Sequence, residues 1–151
     1  MAVLAFEREN RAYFAASIPD RGDEFFEHFA DRHHELLAQQ DTGICIFHVL
    51  VGDDGAVLGR FNLVDVNNES AELGYRVAQC AAGQGVATAT VLELCGLARA
   101  EYGLRSLRAA TRLDNVASQK VLARAGFVPV GPAQLGSGPG TWYHRELTSG
   151  A

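Results

Sequence analysis

Apolar residues along the chain follow two different periods, and these periods predict its helices and strands. In four segments, apolar positions recur every three or four residues, which is the spacing of a helix with one buried face. In six other segments, β-branched, aromatic and other apolar residues form the short runs that are typical of strands. The predicted helices cover residues 7–16, 23–40, 86–102 and 116–124. The predicted strands cover residues 44–51, 57–66, 71–78, 104–111, 127–130 and 141–147.

Residues that favour turns separate these elements. Residues 52–55 read Gly-Asp-Asp-Gly and predict a hairpin. Residues 67–70 predict a second turn, so the first three strands should form an antiparallel meander. Asp23 is a candidate N-cap of the second helix, and Gly103 is placed to end the third. Residues 132–140 are rich in Gly and Pro, and we expect them to form a loop.

The order of these elements predicts the fold class. Two helices, three strands, a helix, a strand, a helix and two strands indicate a mixed α/β (α+β) protein. A length of 151 residues is typical of one domain, so we expect a single domain over residues 1–151.

A short glycine loop joins the third predicted strand to the third predicted helix. It reads Ala81-Ala82-Gly83-Gln84-Gly85 and ends where the helical pattern begins. Glycines let a ligand approach the backbone closely, and the unpaired N–H groups of a helix N-terminus bind anions, most often phosphate. A Gly-x-Gly pair also occurs in plain strand-to-helix turns, so both interpretations stay open. A Rossmann loop would follow the first strand of a parallel sheet and carry a third glycine where this chain has Thr88.

Two further motifs accompany the loop. Asn115 begins the fourth predicted helix, Ser118 follows three residues later, and Gly126-Phe127 closes the helix. Together with residues 82–87, Ala-Gly-Gln-Gly-Val-Ala, this pattern resembles the GNAT superfamily of acyl-CoA-dependent N-acetyltransferases. Residues 72–75, Glu-Leu-Gly-Tyr, are similar to its RimJ/RimL branch, which acetylates the N-termini of ribosomal proteins.

The resemblance implies a GNAT-like mixed, mostly antiparallel central sheet flanked by helices, with acyl-CoA held where strands 4 and 5 of the family splay apart. Strand 4 corresponds here to residues 71–78. It also implies acetyl-CoA as co-substrate, no metal, and direct acetyl transfer to an amine acceptor, either a small molecule or a protein N-terminus. The residues implied to contact the cofactor are Val77, Gly83, Gln84, Gly85, Val86, Ala87, Thr88, Asn115 and Ser118. Asn115 is equally well explained as an ordinary N-cap.

The chain departs from the family pattern at two positions. Ala82 stands where Gln or Arg is common, and Leu122 stands where many members carry a tyrosine that protonates the leaving thiolate. Leucine has no proton to give, so the hydroxyl of Ser118 or water could protonate the thiolate, or it could leave unassisted. Leu122 keeps open a non-catalytic acyl-CoA or nucleotide-binding module on the same fold. A plain dinucleotide-binding domain is a third possibility, which the strand order disfavours.

Glu72 is the candidate catalytic base, because removal of the proton from an ammonium group needs a base within direct or water-mediated reach. Alternation along a strand places Glu72, Gly74 and Arg76 on one face, and Leu73 and Tyr75 on the other. Glu72 could instead be an exposed carboxylate or a partner of Arg76. Residues 142–144, Trp-Tyr-His, could line the acceptor pocket, or Trp142 could pack in the core.

The net charge of −5 is unevenly distributed. Residues 1–43 carry nine acidic and four basic residues, whereas residues 99–151 carry seven basic and three acidic ones. This split suits an anionic cofactor and a cationic acceptor, although two solvated faces explain it equally well. There is no basic stripe interleaved with aromatics, so we do not expect nucleic-acid binding. No apolar run approaches the ~20 residues of a membrane span, and residues 1–9 do not resemble a signal peptide.

The three cysteines, Cys45, Cys80 and Cys95, show no Cys-x-x-Cys spacing. We expect reduced thiols in a cytoplasmic protein. Cys80 lies beside the glycine loop, but no histidine is near it in sequence to support thiol catalysis. The five histidines form no recognisable metal-binding pattern. The sequence leaves open whether the protein is a monomer or a homodimer.

Overall fold

Six strands form one sheet in the computed structural model, which describes residues 2–147. The strands are β1 (Ile46–Val51), β2 (Val57–Val64), β3 (Ser70–Val77), β4 (Ser106–Arg112), β5 (Val128–Leu135) and β6 (Gly138–Glu146). Across the sheet they follow the order β1-β2-β3-β4-β6-β5. Every neighbouring pair is antiparallel except β3 and β4. The predicted meander and the predicted mixed, mostly antiparallel sheet are therefore confirmed.

Helices flank this sheet. They are α1 (Ala2–Glu9), α2 (Arg11–Ala15), α3 (Asp23–Glu27), α4 (Phe29–Asp41), α5 (Val86–Ala100) and α6 (Val116–Arg124), and a 3-10 helix covers Gln79–Ala81. The prediction for residues 116–124 matches α6. The prediction for residues 86–102 matches α5 apart from its last two residues.

Both predictions for the N-terminal helices are wrong, because each helix is a pair of shorter helices and the first pair begins at Ala2 and not at residue 7. The first pair divides at Asn10 and the second at His28. The side chain of Asn10 donates to Phe6 O at 2.9 Å and accepts the backbone N–H of Gln79 at 2.9 Å. Such side-chain bonds to the backbone compete with helix continuation. Asn10 thereby ties the N-terminal helices to the segment before the glycine loop.

The prediction that Asp23 is the N-cap of the second helix is wrong, because Asp23 is the first residue of α3. The N-cap is Gly22, whose φ of 86° favours glycine. The Gly22 N–H donates to the Asp20 carboxylate at 3.0 Å. The carboxylate of Asp23 instead accepts from the Arg11 guanidinium at 2.9 Å.

Residues 132–140 are mostly β-hairpin, so the prediction of a loop there is wrong. β5 continues to Leu135 and β6 begins at Gly138. Because β5 is an edge strand, it tolerates prolines that cannot donate to a partner. Gly140 is required by close approach, since a Cβ there would overlap the carbonyl oxygen of Thr111 in β4.

The parallel pairing of β3 with β4 is short. It joins Ser70, Ala71 and Glu72 to Ser106, Leu107 and Arg108, and the two strands diverge beyond these residues. The gap opens towards the end of β3 that leads into the glycine loop. The splay implied by the family resemblance is thus present between β3 and β4.

The main core lies between the sheet and α5. Val91 and Ala98 of α5 are fully buried against Leu63, Ala71 and Leu107 of the sheet. These apolar positions follow the predicted helical spacing. A smaller cluster of Phe6, Phe14 and Val57 holds α1 and α2 against the sheet.

A buried carboxylate anchors the same helices. Glu7 is 1% exposed and accepts from three guanidinium groups. The distances are 3.0 Å to Arg21 Nε, 3.1 Å to Arg60 Nη1 and 3.3 Å to Arg76 Nη1. A buried charge needs such partners, because removing an unpaired ion from water is costly. Glu7 therefore fixes α1 onto β2 and β3.

Candidate active site

The glycine loop has the backbone conformation of an anion-binding turn. Gly83 and Gly85 both have a φ of 74°, which residues with a Cβ rarely adopt. Gly85 is the N-cap of α5, and its carbonyl accepts from the Ala89 N–H at 3.0 Å. The N–H groups of residues 86–88 therefore face out of the helix end, where an anion can bind them.

A cleft of about 350 Å³, here called the large cleft, opens in front of this helix end. Its volume is in the range of small-molecule sites. Eight of the nine predicted cofactor-binding residues line it: Val77, Gly83, Gly85, Val86, Ala87, Thr88, Asn115 and Ser118. Gln84 is not among the lining residues, and its side-chain nitrogen donates to Cys80 O at 3.3 Å.

The large cleft is positively charged. Arg76, Lys120 and Arg124 line it, and no acidic residue is among its lining residues. Lys120 and Arg124 are four residues apart and so share one face of α6. Burial and the charge of Arg21 lower the pKa of Arg76 to about 10, so Arg76 stays charged at neutral pH. The sequence analysis did not single out these bases, although the spacing of Lys120 and Arg124 was a usable signal.

A second cavity, here called the small cavity, lies where β3 and β4 diverge and has a volume of about 190 Å³. Its walls come from β3, β4, α6 and the β5–β6 hairpin. Four residues line both the small cavity and the large cleft: Ile18, Tyr75, Asn115 and Ser118. We call these four residues the junction, because a ligand extended along the large cleft would meet the small cavity there.

The junction owes part of its geometry to the start of α6. Asn115 is the N-cap, and its Oδ1 accepts the backbone N–H of Ser118 at 3.2 Å. The interpretation of Asn115 as a cap is confirmed, and its contact with a cofactor stays a prediction. The cap directs the first turn of α6 at the gap between the strands.

Tyr75 meets Ser118 across this gap. The phenol oxygen of Tyr75 lies 3.0 Å from Ser118 Oγ. The Tyr75 ring stacks on Phe61, with ring centres 5.5 Å apart and planes 13° from parallel. Burial raises the pKa of Tyr75, and the hydrogen bond with Ser118 opposes that rise. Alternation along β3 placed Tyr75 on this face, but the sequence analysis gave it no chemical role.

A comparison with family models identifies the family to which the chain belongs. The family model described as an acetyltransferase (GNAT) domain matches residues 3–128, which is most of the chain. The chain belongs to the GNAT acetyltransferase family. Membership makes it an N-acetyltransferase by family, as the sequence resemblance implied. No curated protein matches the chain in sequence.

Solved GNAT structures share the fold over nearly the whole chain. The ribosomal-protein-S5-alanine acetyltransferase from Vibrio fischeri has a TM-score of 0.88 at 20% identity, covering 98% of this chain and 87% of that one. Mycobacterium smegmatis RimJ in complex with CoA-disulfide has a TM-score of 0.83 at 20% identity, covering 95% and 75%. A SpeG spermidine N-acetyltransferase chimera from Vibrio cholerae and hSSAT has a TM-score of 0.77 at 14% identity, covering 93% and 92%.

Glu72 of this GNAT chain lies outside both sets of lining residues. Its Oε1 is 3.9 Å from Arg108 Nε, and its side chain is about one-third exposed. The next residue on the same face, Gly74, does line the small cavity. The role of Glu72 as the base stays a prediction, and its ion-pair partner is Arg108 and not Arg76.

Two other groups of side chains considered for the acceptor do not line the cavities: residues 142–144 and the acidic residues of the N-terminal segment. None of residues 142–144 lines either cavity. Tyr143 packs in the main core, and Leu135 and Ser137 of the hairpin line the small cavity instead. From the acidic N-terminal segment, the lining residues are Tyr13, Phe14, Ser17 and Ile18, so none of its acidic side chains lines a cavity. The expected preference for cationic acceptors stays a prediction.

The remaining candidate chemistry is limited. Cys45 and Cys95 are buried free thiols, and burial raises the pKa of both, whereas Cys80 is exposed. Within residues 2–147, no three His, Cys, Asp or Glu side chains lie close enough together to hold a metal ion. In the same part of the chain, no helix has the length and apolar character needed to cross a bilayer.

Proposed function

We propose that this GNAT protein transfers an acetyl group from acetyl-CoA directly to a primary amine, and that the amine is a protein N-terminus. The observation that carries the proposal is the junction, where a cationic cleft at a helix N-terminus meets a second cavity inside the splayed sheet. The name of the Vibrio fischeri structure, a ribosomal-protein acetyltransferase, supports the choice of acceptor. The spermidine acetyltransferase chimera makes a small amine the competing acceptor.

The large cleft fits the chemistry of coenzyme A. The N–H groups of residues 86–88 would hold the pyrophosphate, and Lys120 and Arg124 would add positive charge for phosphate groups. The unpaired edge of β3 near Val77 would pair with the pantetheine amides. Acetyl-CoA supplies the acetyl group as a thioester. Ala82 adds no side chain that could contact phosphate, so in this chain these backbone donors and the α6 bases take that role.

The small cavity fits a slim, extended acceptor better than a bulky one. It is small and largely apolar or neutral, and its one charged lining residue is Arg112, which bonds Asp114 at 2.7 Å. An extended N-terminus can enter such a space, whereas a polyamine would have no carboxylate there to bind. Glu72 would remove the amine proton through water, from its position two residues before Gly74 on β3.

Binding and catalysis need separate tests. At one hundred times its dissociation constant, coenzyme A should stabilise the fold by about 2.7 kcal/mol. For a domain of this size that corresponds to a rise in Tm of roughly 5–10 °C. Thr88→Glu should abolish the rise, because a carboxylate at the helix N-terminus repels phosphate, while leaving the ligand-free Tm equal or higher. Thr88→Val is the neutral control and should keep the rise.

Transfer is measured as thiol release from acetyl-CoA over peptides with free N-termini, the same peptides with blocked N-termini, and polyamines. We expect release only with free N-termini, and a mass increase of one acetyl group on the peptide. Binding of CoA without release over the whole panel would instead establish the non-catalytic binding module. Release with polyamines alone would overturn the choice of acceptor.

The free cysteines bear on location. All three are unpaired thiols, which is typical of proteins in reducing compartments. We therefore include a cytoplasmic location in the proposal.

A further inference from the structure

We propose that Tyr75 is the acid that protonates the departing sulfur of coenzyme A, and that Ser118 is its hydrogen-bond partner. This inference rests on the proposed acetyl transfer. The two hydroxyl groups come from opposite sides of the gap, Tyr75 from β3 and Ser118 from α6, and their oxygens are 3.0 Å apart. Both residues belong to the junction.

Leu122 leaves the place of the family's usual acid without a proton donor. Leu122 lies one turn after Ser118 on α6, lines the small cavity and is 1% exposed. It therefore points into the site but has no proton to donate. Tyr75 delivers a phenol to the same region from the opposite strand. In this chain the acid comes from β3 and not from α6.

The other members of the junction cannot take this role. Ile18 has no polar hydrogen, and the Asn115 amide can donate a hydrogen bond but does not give up a proton at neutral pH. Ser118 is an aliphatic alcohol and a far weaker acid than a phenol, whose ordinary pKa is near 10. Tyr75 is thus the proton donor, and Ser118 is placed to donate to the phenolate oxygen that remains.

The surroundings of Tyr75 keep its hydroxyl protonated and hold its ring in one orientation. Stacking on Phe61 fixes the plane of the ring. Burial raises the pKa of Tyr75, so the phenol holds its proton throughout the neutral range. The hydrogen bond of Ser118 acts in the opposite direction and eases release of the proton during the reaction.

The step balances without a further reactant. The amine nitrogen bonds to the thioester carbon, and collapse of the tetrahedral adduct breaks the C–S bond, with the electron pair leaving on sulfur. The Tyr75 O–H proton passes to sulfur and gives the free thiol. The proton lost by the amine returns through solvent to the Tyr75 phenolate, so amine and thioester yield amide and thiol.

Tyr75→Phe tests the assignment, because it keeps the stacked ring and removes only the hydroxyl. We expect kcat to fall by roughly 10²-fold or more, with the Kd of coenzyme A changed less than twofold. Ser118→Ala should lower kcat less, and the double variant should be little worse than Tyr75→Phe alone, because the two groups act as a unit. Tyr102→Phe is the matched control. This substitution also removes a partly buried hydrogen bond, the one between Tyr102 and His48 Nε2 at 2.7 Å, but Tyr102 lines neither cavity.

The pH profile separates an acid from a structural hydroxyl. Wild-type kcat should decline above the pKa of Tyr75, since only the protonated phenol can donate. Replacing Tyr75 with a fluorotyrosine, whose phenol is more acidic, should move that decline to lower pH, and the same replacement at Tyr102 should not. Retention of kcat within twofold in Tyr75→Phe would overturn the assignment of Tyr75 as the acid and leave the proposed function standing. Failure of the wild type to acetylate any amine would overturn the proposed function and this assignment with it.

Discussion

Loss of the Glu7 charge should destabilise the fold more than any surface substitution. Glu7→Gln keeps the size of the side chain but removes the negative charge that three guanidinium groups share. Arg60 has only 9% of its side chain exposed and would lose its carboxylate inside the protein. Breaking a buried pair in this way costs about 3–5 kcal/mol.

The cost should equal that of one buried pair and not of three. The side chains of Arg21 and Arg76 are 31% and 18% exposed, so water can solvate them after the charge is lost. The glutamine carbonyl also still accepts one hydrogen bond. We therefore place Glu7→Gln near the lower end of that range and Glu7→Ala, which also leaves a cavity, near the upper end. For a domain of this size, the range corresponds to a fall in Tm of roughly 6–20 °C.

Urea unfolding followed by circular dichroism measures the free-energy change. The midpoint should fall while the m-value stays constant. Asp23→Asn is the matched control, because Asp23 also pairs with an arginine, Arg11, but has 84% of its side chain exposed. We expect that control to change stability by less than about 0.5 kcal/mol. Equal losses in Glu7→Gln and Asp23→Asn would refute the reasoning, since burial would then have no influence on the value of the pair.

Three further predictions concern the site and its frame. Glu72→Gln should lower turnover by a factor of roughly 10²–10⁴, and the loss should be smaller at high pH, where the amine is already neutral. Turnover within twofold of wild type would show that Glu72 has a structural role and is not the base. Replacing both Lys120 and Arg124 with Gln should raise the Kd of coenzyme A and make that Kd less dependent on salt. Calorimetry at two ionic strengths measures both effects, and an unchanged Kd would mean that the phosphate groups bind elsewhere. Gly140→Ala should lower Tm, because the new Cβ meets the Thr111 carbonyl, and an unchanged Tm would show that β6 can move away from β4 at little cost.

Local patterns predicted the elements best where the governing residues are neighbours in sequence. The bounds of α6 were predicted correctly because its N-cap, Asn115, and the N–H that it accepts, that of Ser118, are only three residues apart. The break at Asn10 depends on Gln79, which is 69 residues away, so no local pattern contains it. Gly140 likewise is explained by Thr111 on a neighbouring strand and not by its own segment.

The candidate site divides in the same way. The glycine loop was visible because its backbone chemistry is encoded in five consecutive residues. The pairing of Tyr75 with Ser118 joins residues 43 apart, and strand alternation could give only the face on which Tyr75 lies. That face becomes chemically important only because β3 and β4 diverge, which no residue in either strand encodes by itself.

The divergence of β3 and β4 also gives this sheet two exposed edges in its interior. Beyond Glu72 and Arg108, the side of each strand that faces the gap has no neighbouring strand to accept or donate its backbone hydrogen bonds. An open strand edge is a template for pairing with another chain, and an extended ligand can occupy it as an additional strand would. We therefore expect the ligand-free protein to be the form most prone to self-association and proteolysis. A bound acetyl-CoA or coenzyme A, by covering these edges, would then protect the protein from both.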